Sequence, residues 1–106
     1  MITKNLIFAV IFVLMLAAGA VQAGGDVARG QELSMDCADC HGEDGKGDDE
    51  TPAIAGLEEA NHVEQLLAFK TGERTDEDEM MLMYTEDLSD QDMADLAAYY
   101  ATLDGG

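Results

Sequence analysis

The stretch CADCHGEDGKG, residues 37–47, decides how this chain is read. It holds both cysteines of the chain and one of its two histidines. Cys37 and Cys40 stand three positions apart, and His41 follows at once. Two thiols and an imidazole so placed serve a redox disulfide, part of a metal site, or a covalent anchor for a prosthetic group. The remainder of the 106 residues has to separate these readings.

Upstream, Lys4 is followed by an unbroken apolar run from Leu6 to Ala18 and then by GAVQA, residues 19–23. A basic start, an apolar core and small residues at Val21 and Ala23 predict a secretory signal over residues 1–23, cleaved after Ala23. The run is short for a membrane span; an uncleaved anchor is the competing reading. The domain left, residues 24–106, buries little core and needs a staple. Export favours disulfides, but a bridge between Cys37 and Cys40 closes too short a loop to constrain the chain. A large apolar cofactor meets the same need.

The chain is strongly acidic. Five Lys and Arg face 23 Asp and Glu, for a net charge of −18, and losing Lys4 with the signal makes it −19. Nucleic acid and anionic membrane surfaces are therefore excluded as partners, and a basic protein partner fits. The apolar residues keep helical spacing, so the acidity does not read as disorder.

Three helices are expected, and no alternating run predicts a strand. The first starts at Asp26, an N-cap, and runs toward Cys37; Gly30 inside it predicts close packing by another helix. The second lies between about Glu58 and Thr71, with Val63, Leu66, Leu67 and the stem of Lys70 on one face and Gly72 as its stop. The third begins after Ser89, with Asp92 completing a capping box and Leu88 and Met93 a hydrophobic staple. Its stripe of Met93, Leu96, Ala97, Tyr100 and Leu103 reads as core, and Tyr99 and Tyr100 as the residues that press on Gly30 or a cofactor edge. Met35 and Met93 are expected to fill gaps in the core, and His62, one position off its helix's apolar face, to lie at the surface. Between the second and third helices, residues 72–88 read as a long loop carrying an acidic run and then Met80, Met81 and Met83.

A thioredoxin-like Cys-x-x-Cys needs a βαβ setting that is missing here. A structural zinc site needs four ligands, and Cys37, Cys40 and His41 find only His62 as a fourth. Cys-x-x-Cys-His is the attachment signature of c-type haem. The thiols of Cys37 and Cys40 add to the haem vinyl groups as thioethers, and His41 is delivered to the iron as its proximal ligand. Both cysteines are then accounted for, and so is the export.

Beyond that motif, GDVARGQEL, TPAIAGL, VEQLLAFKTGER and LSDQDMADLAAYYATL follow in order, and with them the chain resembles a bacterial class I cytochrome c. The likeness is to the small periplasmic monohaem type, similar to one half of dihaem cytochromes c. It implies an all-α fold in which three main helices wrap one covalent haem and the terminal helices cross at Gly30. It also implies that the loop holding Pro52 supports His41 through a backbone carbonyl. The distal ligand in such proteins is a methionine before the last helix; counting back seven residues from Leu88 gives Met81, with Met83 and then Met80 as alternatives. Lys70 and Arg74 are candidates to pair with haem propionates, or else are solvated.

The function implied is a periplasmic electron carrier, not an enzyme, whose His/Met-ligated iron cycles between the ferric and ferrous states among redox protein partners. No membrane insertion is expected after signal cleavage. The alternative is a haem sensor or redox-enzyme subunit with an open sixth position. The acids are spread over all three helices and both long loops, which favours adaptation to high salt over one docking patch.

Overall fold

The computed structural model describes residues 24–105, so the expected signal lies outside the described residues. Four α-helices form: α1 (Val27–His41), α2 (Glu59–Thr71), α3 (Met80–Thr85) and α4 (Asp90–Ala101), with a 3-10 turn at Glu77–Glu79 before α3. No strand forms among the described residues. The three expected helices are present, and α3 is additional. Its six residues are too few to carry a legible helical period.

Side-chain caps fix where α1, α2 and α4 begin. The Asp26 carboxylate accepts from the Arg29 N–H and the Glu58 carboxylate from the Ala60 N–H. At α4 the capping box is complete: Ser89 Oγ accepts from the Asp92 N–H at 3.0 Å, and Asp92 Oδ2 from the Ser89 N–H at 3.0 Å. Gly72, with φ 82°, closes α2 in the left-handed conformation that glycine adopts without strain.

The fold is organised by α4, which packs against both α1 and α2. Its crossing with α1 is very close: a Cβ on Gly30 would stand 1.9 Å from the Asp95 carbonyl oxygen and 2.8 Å from Tyr99 Cβ. Asp95, with its side chain 1 % exposed, locks this crossing. It accepts from the Asp26 N–H at 2.7 Å, from Arg29 Nη1 at 2.8 Å and from Gln91 Nε2 at 2.8 Å. These donors, the backbone N–H foremost, hold its carboxyl below the usual range. Arg29 also pairs with Asp92 at 2.7 Å. A buried carboxylate is tolerable only when so satisfied.

The core is Leu66, Met93, Leu96 and Tyr100, with Leu88, Met81 and Cys37 packed against it. Three sequence expectations fail in detail, at Met35, Leu67 and His62. Met35 is 74 % exposed, because the inward face of α1 is Gly30, Ser34, Cys37 and His41, and a residue next to Ser34 on the helix points away. On α2 the buried residues are His62, Leu66 and Phe69, at i, i+4 and i+7, while Leu67 is 42 % exposed. The inward face is turned toward His62, so this histidine is buried at 3 % exposure, not on the surface. Apolar residues nearly encircle α2, which left its orientation to be set by the fit of Leu66 and His62 against α4.

Candidate functional site

A cavity of about 910 Å³ opens between the four helices and the loop after α1, at the upper end of what ligand sites enclose. Cys37, Cys40, His41, Pro52 and Met81 all line it. The sequence-predicted residues therefore converge, from the end of α1, the following loop and α3.

His41 closes α1 and is 6 % exposed. Its Nδ1 donates to the Pro52 carbonyl at 2.8 Å. A carbonyl can only accept, so the proton sits on Nδ1 and the Nε2 lone pair is left for a metal. The loop is shaped to bring that carbonyl in. The Gly47 N–H donates to the His41 carbonyl at 2.7 Å. Gly47 has φ +66°, and a Cβ there would meet the Thr51 carbonyl oxygen at 2.1 Å, so only glycine lets the chain double back onto Pro52. Asp48 Oδ1 accepts from the Glu50 and Thr51 N–H groups at 2.9 Å each, which holds the return. These backbone donors lower its carboxyl pKa.

Cys37 is partly buried and Cys40 exposed, and both are free thiols. Burial pushes the Cys37 thiol up. Behind it lies Tyr100, 2 % exposed and raised by burial, its ring 5.1 Å from that of Tyr99. Tyr99 carries the contact to Gly30 and Tyr100 faces the cavity, so the two expected roles of this pair are divided between them.

The three methionines of the acidic segment differ. Met81 lies partly buried against the core and lines the cavity. Met80 lines it too but is 40 % exposed. Met83 is 63 % exposed and is not among the lining residues. The separation follows from α3: Met81 and Thr85 lie on its more buried side, Met80 and Tyr84 at the exposed rim of the cavity, and Met83 points away from it.

Sequence reasoning missed His62, Asp76 and Thr85 as residues of this site, and of its two propionate candidates only Arg74 borders the cavity. His62 lines the cavity with its ring 5.5 Å from Tyr100. Its Nδ1 is buried without a hydrogen-bond partner. Burial, and then the charge of His41, pushes its pKa down to about 4, so the ring is neutral near pH 7. Arg74 Nη1 donates to Gln65 Oε1 at 2.7 Å, its guanidinium lies 4.6 Å over the Phe69 ring, and it borders the cavity. Lys70 does not border it; its ammonium donates to the Leu88 carbonyl at 2.5 Å. Asp76 and Thr85 bracket Met81 by backbone contacts that no motif announces.

The donor set fits haem: two thiols, an imidazole with a free Nε2, and a soft thioether sulfur facing one largely apolar cavity whose wall includes Leu66, Phe69 and Leu96. Among the described residues no helix is long and apolar enough to cross a membrane.

The comparisons with known proteins agree with that fit. A family model described as cytochrome c matches residues 27–104. The chain is 42 % identical over 85 residues to cytochrome c4 of Pseudomonas aeruginosa, a match covering 79 % of this chain and 41 % of that protein. It is 36 % identical over 89 residues to cytochrome c-554(547) of Halothiobacillus neapolitanus, covering 74 % of this chain and 98 % of the relative. Among solved structures, reduced cytochrome c4 from Pseudomonas stutzeri superimposes with a TM-score of 0.69 at 26 % identity, covering 78 % of this chain and 53 % of that one. The chain thus spans about half or less of the cytochrome c4 proteins it matches.

Proposed function

The chain belongs to the cytochrome c family, and from that premise we propose that it is a periplasmic electron carrier with one haem c held by Cys37, Cys40, His41 and Met81. The observation that carries this reading is the convergence of those four side chains on one cavity, with His41 pinned to Pro52. Haem, when bound, supplies a one-electron iron couple.

The protein's part is to hold the iron's surroundings still in both oxidation states. Cys37 and Cys40, a helical turn apart on α1, tether the macrocycle beside His41. The Pro52 carbonyl fixes the His41 ring and raises its basicity. Met81, soft and apolar, suits both charge states and favours the reduced one. The inward position of Met81 supports it over Met83, whose side chain faces solvent, and over the more exposed Met80. With His41 and Met81 both available to hold the iron, haem bound here would leave no coordination position for substrate, which is what a carrier requires.

Residues 1–23 are proposed as the export signal, consistent with haem attachment outside the cytoplasm. The partners proposed are redox proteins. Asp and Glu side chains are exposed on every helix but α3 and along both long loops. This spread supports a role in keeping the protein hydrated at high salt over a role in one docking patch. Intact mass spectrometry of the exported protein tests the reading at once. The expected mass is the chain from Gly24 plus one haem, with no free thiol to alkylate; a haem-free mass with two alkylatable thiols would refute it.

A further inference from the structure

The backbone around Met81 is held at both ends by side chains. The two carboxylate oxygens of Asp76 accept from the Met81 N–H at 3.2 and 3.4 Å. The Thr85 hydroxyl donates to the Met81 carbonyl at 2.8 Å. Thr85 is 1 % exposed and is the most deeply buried residue of α3. A threonine back-bonded to the carbonyl four residues earlier is ordinary in a helix; a carboxylate reaching five residues forward to the same residue's N–H is not.

Between Asp76 and Met81 the chain is strained. Asp78 and Glu79 both have positive φ, 64° and 54°. Left-handed backbone costs a non-glycine residue free energy, and two such residues in succession are rare. Such a conformation persists only where its surroundings over-determine it. Asp78 and Glu79 are exposed, and no side-chain bond is made by either. Besides the Glu79 N–H donating to the Asp76 carbonyl at 3.1 Å, the hydrogen bonds that hold the segment are those flanking it, from the Asp76 and Thr85 side chains.

We propose that Asp76 and Thr85 are positioning residues that clamp Met81 at the sixth coordination position, and that loosening either one makes this ligand displaceable. The inference rests on the reading of Met81 as the distal ligand. Strain upstream pulls on the ligand residue, and the two hydrogen bonds oppose it. Both side chains border the cavity, and the bonds they make are to the Met81 backbone, which sets where its thioether points.

The test uses the haem-loaded ferric protein, with imidazole as the displacing ligand and the weak methionine-to-iron absorption band at the red end of the spectrum as the reporter. Thr85→Val keeps the shape and removes the hydroxyl; Asp76→Ala removes the acceptor. Each is expected to lower the imidazole concentration at half-loss of the band by about three- to tenfold, the usual worth of one hydrogen bond. Thr85→Ser and Asp76→Asn keep a donor and an acceptor and are expected to stay within about twofold of the parent. A general loss of stability would not be rescued in that paired fashion. Unchanged imidazole affinity in both Thr85→Val and Asp76→Ala overturns the clamp, provided that Met81→Ala abolishes the band. If Met81→Ala retains the band, Met81 is not the ligand and the clamp falls with it. Asp76 lies in a surface segment, so its variants remain informative even if the buried Thr85→Val chain does not fold.

Discussion

Burial of His62 makes the stability of this protein sensitive to acid in a defined range. The ring is 3 % exposed, its Nδ1 has no partner, and its pKa falls from 6.5 to about 4 on folding. The folded state therefore disfavours the protonated ring. Stability from this group is complete above the unfolded value of 6.5, declines as the pH falls, and levels off below about 4. Each pKa unit is worth about 1.4 kcal/mol, so the full effect is about 3 kcal/mol, and about 2 kcal/mol of it is already lost at about pH 5.

His62→Leu removes the titrating group and puts an apolar side chain of similar size between Leu66 and Tyr100. At about pH 7.5 the variant is expected to be as stable as the parent or slightly more so, since an orphaned polar atom has gone. At about pH 5 it is expected to exceed the parent by about 2 kcal/mol. Guanidinium unfolding of the reduced, haem-loaded protein at the two pH values measures this difference. Proton NMR of the same reduced protein follows the His62 ring directly, and its midpoint should lie below about 5. Parallel loss of stability in parent and variant, or a His62 midpoint near 6.5, would refute the reasoning.

Other consequences follow from the crossing, the proximal loop and the charge. Gly30→Ala places a methyl 1.9 Å from the Asp95 carbonyl and should cost about 1–3 kcal/mol, read as a lowered guanidinium midpoint with an unchanged slope. Gly47→Ala combines a strained φ of +66° with a 2.1 Å clash against Thr51. It should displace the Pro52 carbonyl, leave His41 a weaker donor and so raise the reduction potential or the high-spin fraction, whereas an unaltered spectrum and potential would mean that the Pro52 contact does not tune the site. Electron-transfer rates with a basic redox protein should depend only weakly on ionic strength if the acids serve solubility. A steep fall between low and physiological salt would mean that they steer docking.

Much of this molecule could be read from single residues. Asp26, Ser89 with Asp92, and Gly72 announce helix ends because each does its work within one turn of itself. Cys37, Cys40 and His41 are legible because their chemistry depends on adjacency in sequence. What could not be read depends on distance in space. Asp95 looks like any surface acid until Asp26, Arg29 and Gln91 are brought around it. His62 is polar and stands one position off the apolar face legible in the sequence, but the face was settled by Leu66 meeting Met93, Leu96 and Tyr100 of α4. Met35 seemed apolar and therefore internal, yet α1 spends its inner face on Gly30, Ser34, Cys37 and His41. The choice among Met80, Met81 and Met83 needed α3, a helix too short to leave a pattern.

A closed His/Met haem site has a direct signature in the visible spectrum of the purified protein. The ferric form is recorded for the methionine-to-iron band, and the ferrous form with and without carbon monoxide, in the parent and in Met81→Ala. The band is expected in the parent and absent from the variant, and the ferrous parent is expected to be indifferent to carbon monoxide while the variant binds it. A high-spin parent that takes up carbon monoxide readily would contradict the account, because the sixth position would then be open and the protein would be built to bind a ligand and not to pass an electron.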